Sequence, residues 1–150
     1  MATAKNWLKI LETLGIIFYL HPYSNNVLKR TIKTPKLYFY DCGLVCYLTR
    51  WSEAETLITG SMSGAILENF AVSEIIKSYT NVGREAFVYY YRDKDSKEID
   101  LIIEGNGKLF PIEIKKTATP DERLTRVFGV IDKSPPGARD WGCTFVWRTG

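Results

Sequence analysis

The spacing of hydrophobic and polar residues alternates between helical and strand periods, which predicts a mixed α/β domain. Apolar residues three or four positions apart predict a helix over 3–14 and a longer one over 63–79. Asp41 is placed to cap a short helix over 42–48. Short apolar or alternating runs predict strands at 16–20, 27–33, 36–40, 87–91, 98–104 and 143–147, with a further strand through 111–115.

Residues 89–116 carry the most informative pattern of the chain. Asn106-Gly107 favours a two-residue turn, because both residues tolerate a positive φ. Side chains alternate between the two faces of a strand, so Glu98 and Asp100 are predicted to share one face. Three apolar residues of the same strand are predicted on the opposite, core-facing side: Ile99, Leu101 and Ile103.

On the returning strand, Ile112 and Ile114 are predicted to face the core. Asp100, Glu113 and Lys115 would then converge on the other side of the hairpin. Two carboxylates and an ammonium can hold a divalent cation, Mg²⁺ or Mn²⁺, and orient a water molecule. The alternative is that these alternating charges form the solvated face of an ordinary hairpin.

Glu68 interrupts the predicted apolar stripe of helix 63–79, where it lies between Ala65 and Val72. An ionised carboxylate is costly to bury alone, so Glu68 should have a cation, a lysine or a hydrogen-bond donor as its partner. One interpretation is a structural Glu68–Lys115 ion pair. The other is a third acid at a metal site.

The first 36 residues are predicted to form a partial winged-helix segment, in which a helix is followed by a β-hairpin. This pattern is the back half of a winged helix, so the chain is expected to be a piece of a longer protein. The basic residues of this segment could contact nucleic-acid phosphates, although lysines on an exposed strand edge also prevent aggregation. The candidate phosphate contacts are Lys29, Arg30, Lys33 and Lys36.

Composition is that of a soluble globular protein, with 45% hydrophobic and 25% charged residues among 150. The net charge of +3 is too small to indicate a partner. Cys42 and Cys46 are one helical turn apart, but a structural zinc site normally needs four ligands, which favours buried thiols. The chain lacks an apolar run of the roughly 18 residues that spanning a membrane requires, and a cytoplasmic location is expected.

Asp100 followed by Glu113-Ile114-Lys115 resembles the core of the PD-(D/E)XK nuclease superfamily. The chain also resembles, more closely, the uncharacterised domain that lies C-terminal to an AAA-type ATPase module in many bacterial and archaeal proteins. Four segments carry this second resemblance in the family's order: 33–44, 64–70, 89–103 and 111–115. The resemblance implies a restriction-endonuclease-like mixed sheet flanked by helices over 37–150, and an attached ATPase.

The resemblance also implies metal-dependent hydrolysis of nucleic acid, with DNA favoured over RNA as the substrate. Asp100, Glu113 and the carbonyl of Ile114 would bind the cation, and Glu68 would bind it directly or through water. Lys115 would orient the nucleophile and stabilise the transition state. Two other functions stay open: a non-catalytic nucleic-acid-binding or regulatory module of the same ATPase, and a protein-interaction domain.

Overall fold

The computed structural model describes residues 2–24, 32–51, 53–117, 121–133 and 143–147. Its helices are α1 (Ala2–Thr13), α2 (Cys42–Leu48), α3 (Ala54–Thr59) and α4 (Ser63–Thr80), with a 3₁₀ segment at Glu122–Lys133. Its strands are β1 (Ile17–Leu20), β2 (Lys36–Phe39), β3 (Val88–Arg92), β4 (Glu98–Gly105), β5 (Lys108–Lys116) and β6 (Cys143–Trp147). The predicted α/β class is confirmed.

The described strands form two sheets. The larger has the order β3-β4-β5-β6, with antiparallel β3–β4 and β4–β5 pairs and a parallel β5–β6 pair. The smaller pairs β1 with β2 in antiparallel fashion. The four-stranded sheet is therefore mixed, as predicted. Its strand β6, from the C-terminal part of the sequence, runs parallel to β5.

The turn between β4 and β5 is the one that Asn106-Gly107 predicts. Asn106 has a φ of 54° and Gly107 a φ of 72°, and the flanking residues Gly105 and Lys108 are paired. Two successive positive φ values match the right-handed twist of a hairpin, and asparagine and glycine adopt them at low energetic cost. This turn fixes the register of the two strands that carry the candidate site.

Apolar side chains cover both faces of the larger sheet. On one face, Leu101, Ile112 and Ile114 pack against α4 through residues such as Val72 and Ile76. On the other face, a second cluster joins the sheet to the 3₁₀ segment; its buried members are Tyr91, Ile99, Ile102, Leu109, Phe128 and Ile131. The sheet is thus a middle layer between α4 and the 3₁₀ segment.

The prediction that Ile99, Leu101 and Ile103 share one face is wrong. Ile99 packs in the cluster of the 3₁₀ segment, whereas Leu101 packs in the cluster of α4. The cause is a β-bulge, because β4 advances three residues from Ile99 to Ile102 while β3 advances only two, from Tyr89 to Tyr91. An extra residue in one strand reverses the alternation of faces beyond it.

The long helix α4 follows its predicted bounds closely, but its buried face is rotated. Val72 and Ile76 are buried as expected, whereas Ala65 is exposed and Ile66 is buried in its place. Among the described residues, no helix is both long and apolar enough to cross a membrane.

At the N-terminus, α1 ends at Thr13 and is followed two residues later by Gly15, whose φ is positive, as is common after a helix C-terminus. β1 pairs with β2. Of the strand predicted at 27–33, residues 27–31 lie outside the described residues, and Ile32 and Lys33 are not in a strand. The predicted division between residues 36 and 37 falls inside β2, and the division into two domains stays a prediction.

Candidate active site

β4 and β5 pair regularly from their turn up to Leu101 and Ile112. The next residues along the two strands are Asp100 and Glu113. At this point the side chain of Asp100 accepts the backbone N–H of Ile114 through Oδ2, at 2.8 Å. Asp100 also falls within the bulge of β4. The bulge and the hydrogen bond from Ile114 together place the carboxylate of Asp100 between the two strands.

The ammonium of Lys115 joins the two acids of this region. Its Nζ lies 2.9 Å from Oε1 of Glu113 and 3.4 Å from Oδ2 of Asp100. Glu113 and Lys115 are two residues apart in one strand and therefore share a face. The structure brings these three predicted site residues together, while their chemical role stays a prediction.

Both acids are buried, with Asp100 5% and Glu113 6% exposed. Burial raises the pKa of Asp100, a trend opposed by the hydrogen bond from Ile114 and increased by the negative charge of Glu68. Burial also raises the pKa of Glu113, against the hydrogen bond from Lys115. Oε2 of Glu113 is buried and has no hydrogen-bond partner among the described residues. Such an atom indicates a site that could receive a ligand.

The same two carboxylates also affect the pKa of Lys115. Its burial lowers the pKa of the ammonium, but the hydrogen bond to Glu113 and the charge of Asp100 outweigh this effect. The net result is a raised pKa. Lys115 is therefore a cation at neutral pH and compensates part of the negative charge of both acids.

Glu68 has the partners that its half-buried position requires. Its Oε1 accepts hydrogen bonds from Nζ of Lys36 at 2.9 Å and from the hydroxyl of Tyr38 at 2.5 Å. The expectation that Glu68 has a cation, a lysine or a hydrogen-bond donor as its partner is thus confirmed, but the lysine is Lys36 and not Lys115. Glu68 is close enough to Asp100 for its negative charge to raise the pKa of that acid.

Lys36 also contacts a second acid, Glu98, whose Oε1 lies 2.5 Å from Nζ. Arg92 approaches the other oxygen of Glu98 at 3.7 Å. The acids of the region therefore form two pairs, each held by a lysine. We call Asp100, Glu113 and Lys115 the strand site, and Glu68, Glu98 and Lys36 the helix-side cluster.

A metal ion could use the strand site, but without a third acid. In the ranges that the structure describes, no three histidine, cysteine, aspartate or glutamate side chains lie close enough together to hold a metal ion. Mg²⁺ is often bound by only one or two carboxylates, with substrate phosphates and water completing its shell. Asp100 and Glu113 supply the two carboxylates that this pattern requires.

The predicted phosphate contacts are only partly described. Lys29 and Arg30 lie outside the described residues, and Lys33 is exposed. Lys36 has its ammonium between two carboxylates. The hydrogen bonds of Lys36 and Tyr38 to Glu68 were not predicted from the sequence. Their spacing of two residues in one strand places both on the same face, which was the available signal.

Comparison with known proteins places the chain in a family. A model of a domain of unknown function (DUF4143) matches residues 63–148, and a second domain of unknown function (DUF8612) matches residues 1–55. Uncharacterised proteins of Mycobacterium bovis and Mycobacterium tuberculosis are each 30% identical over 130 residues, which is 87% of this chain. The chain covers only 29% of the length of these relatives.

No solved structure matches the chain. The matched range 63–148 is more than half of the 150 residues, and it contains α4 together with all four strands of the larger sheet. Both acids and the lysine of the strand site fall within it. The chain therefore belongs to the DUF4143 family of domains of unknown function.

Proposed function

We propose that this chain is a nuclease-like domain that hydrolyses phosphodiester bonds of DNA with Mg²⁺ or Mn²⁺. Its place would be in the cytoplasm, attached to an AAA-type ATPase module in the full-length protein. The observation that carries the proposal is the strand site: two buried acids share one lysine, and Oε2 of Glu113 has no hydrogen-bond partner in the part of the chain that the structure describes. A buried acid without full compensation is unusual unless chemistry requires it.

Asp100 and Glu113 would hold the cation, which would lower the pKa of a bound water and neutralise charge on the phosphate. We expect the carbonyl of Ile114 to help. The N–H and C=O groups of one strand residue point to the same neighbouring strand. Because the N–H of Ile114 points to Asp100, its carbonyl should also face the gap between β4 and β5.

Lys115 would contact the substrate. Its ammonium has three donors and lies at the edge of the strand site, with its side chain 43% exposed. Without substrate it compensates the two acids. With a phosphate present, the same donors can reach a phosphate oxygen and stabilise the charge that develops during hydrolysis.

The test is cleavage of plasmid DNA, single-stranded DNA and RNA by the purified chain with Mg²⁺ or Mn²⁺. Wild type should nick DNA, and Asp100→Asn, Glu113→Gln and Lys115→Met should each lower the rate by about 100-fold or more. Glu74→Gln is the matched control, because Glu74 is an exposed α4 acid paired only with Lys77 among the described residues. Cleavage that survives Asp100→Asn, or no cleavage with any substrate, would contradict the proposal.

A second function is favoured by a specific observation. Each acid pair already has a lysine, and the described residues contain no group of three metal-binding side chains. This arrangement also suits a non-catalytic nucleic-acid-binding or regulatory module of the same ATPase. Such a module should bind DNA in a salt-dependent way that survives Asp100→Asn but weakens when Lys29, Arg30 and Lys33 are neutralised. If titrations detect no DNA binding and the chain forms a complex with the ATPase module, a protein-interaction domain would be favoured.

A further inference from the structure

We propose that Lys36 is the resident cation of the helix-side cluster: it holds Glu68 and Glu98 in place and keeps a second divalent ion out. The charged region would then take a single metal ion, at Asp100 and Glu113. That count of one rests on the proposed function. The role of Lys36 between Glu68 and Glu98 does not, and it can be tested separately.

Three separate elements fix the ammonium of Lys36. Lys36 comes from β2, Glu68 from α4 and Glu98 from β4. Nζ lies 2.9 Å from one carboxylate and 2.5 Å from the other, and 5.3 Å from the centre of the Tyr90 ring. Its side chain is only 22% exposed. Lys36 is therefore held as part of the structure, although a lysine that binds phosphate from the predicted winged-helix segment would be expected to extend into solvent.

The charges of the cluster explain why a cation is needed at this point. Glu68 and Glu98 both direct an oxygen at Nζ, at 2.9 Å and 2.5 Å, so these two oxygens can be no more than 5.4 Å apart. Without the ammonium, two such carboxylates would repel each other or recruit a cation. The Tyr38 hydroxyl also binds Glu68, but it is neutral and cannot replace the charge.

An ammonium and a divalent ion differ in what they can do. Lys36 is covalently attached and cannot be lost to a chelator, and it does not generate hydroxide from a bound water as a metal does. Its effect is positional. Lys36 and Tyr38 both bind Oε1 of Glu68. Asp100 and Glu113 also contact a lysine, Lys115, but its side chain is 43% exposed against 22% for Lys36, and Oε2 of Glu113 has no hydrogen-bond partner among the described residues. Lys115 can therefore turn towards solvent or a phosphate and leave these two acids to a metal ion, whereas Lys36 is held in place.

The test counts Mn²⁺ ions bound to the purified chain, with electron paramagnetic resonance reporting free Mn²⁺. Wild type should bind one ion, and Lys36→Met should bind two, because the methionine keeps the apolar stem and removes the charge. Adding Glu68→Gln and Glu98→Gln to Lys36→Met should return the count to one. Lys77→Met is the control. It removes an ammonium from the exposed Glu74–Lys77 pair of α4, the helix that carries Glu68, and should leave the number of bound Mn²⁺ ions unchanged.

The results separate the two proposals. If wild type binds no ion and Lys36→Met binds one, the role of Lys36 stands and the metal site at Asp100 and Glu113 fails. If Lys36→Met binds no more than wild type, the role of Lys36 is overturned. Should Lys36→Met not fold, wild type is compared with Glu68→Gln. Equal counts support the inference, and a wild-type count of two that falls to one contradicts it.

Discussion

The side chain of Asp100 accepts a backbone N–H at the point where the regular pairing of β4 and β5 ends, as a strand carbonyl would. It accepts the N–H of Ile114 and contacts Lys115, yet its burial makes the charged form costly, as its raised pKa indicates. A neutral amide could accept the same N–H without that cost. The proposed function would explain why a charged acid is present at this position.

Comparing two substitutions of Asp100 separates its structural role from its charge. Asp100→Ala leaves the buried N–H of Ile114 without an acceptor and should lower the free energy of unfolding by about 1–3 kcal/mol. Asp100→Asn keeps an acceptor oxygen and should cost less than Asp100→Ala. Urea denaturation of both variants measures the difference. Equal losses would show that the hydrogen bond to Ile114 is not what the carboxylate contributes to the fold.

Lys36 should make stability depend on pH in the alkaline range. Burial lowers its pKa, but the carboxylates of Glu68 and Glu98 outweigh burial and raise it above the usual 10.5. The folded state then retains a proton that the unfolded chain loses. This contribution is complete below the unfolded pKa and disappears as the pH rises through the folded pKa.

Chemical denaturation at pH 9 and at pH 11 tests this linkage. Wild type should lose more stability over that interval than Lys36→Met does. The variant should keep part of the slope, because the pKa of Lys115 is also raised, and so is that of Tyr38. Identical slopes in wild type and Lys36→Met would contradict the ion pairing of Lys36.

Among the secondary-structure elements, α2 begins where its cap predicts. Asp41 Oδ1 accepts the backbone N–H groups of Gly43 at 2.7 Å and Leu44 at 3.3 Å. These contacts assign Asp41 a structural role. They also show why a residue inside a segment that carries the family resemblance need not be catalytic.

Asp41→Ala should therefore lower the free energy of unfolding by about 0.5–2 kcal/mol, because two N–H groups lose their acceptor. Asp41→Asn, which can still cap the helix, should stay close to wild type. Thermal melting of both variants checks this, and the rate of any DNA cleavage should be unchanged in either. A loss of cleavage in a folded Asp41→Asn would assign Asp41 to the site instead.

Patterns local in sequence predicted the elements well and their faces less well. The turn at Asn106-Gly107, the strand over 143–147 and the long helix all follow from local chemistry. The side of the sheet on which Ile99 packs did not, because a bulge changes the alternation without changing composition. Strand alternation predicted that Asp100, Glu113 and Lys115 would meet, since all three belong to one hairpin.

At the scale of the whole molecule, the charged region lies where β2, α4, β4 and β5 approach one another. Lys36 and Glu68 are 32 residues apart, so their pairing depends on tertiary packing that no local pattern contains. Burial of Glu68 did indicate that a partner must exist. The same limit applies to α1, whose apolar residues Trp7 and Leu8 are 63% and 36% exposed, although the spacing of its apolar residues predicts a packed stripe.

The most direct test of the central claim is to locate bound Mn²⁺ by anomalous scattering from crystals grown with a short DNA oligonucleotide. The proposed function predicts a peak at the strand site, within coordination distance of carboxylate oxygens of Asp100 and Glu113 and next to a phosphate oxygen. The helix-side cluster should show no peak, with the ammonium of Lys36 in its place. A strand site without a peak at saturating Mn²⁺, or a peak between Glu68 and Glu98, would contradict the account.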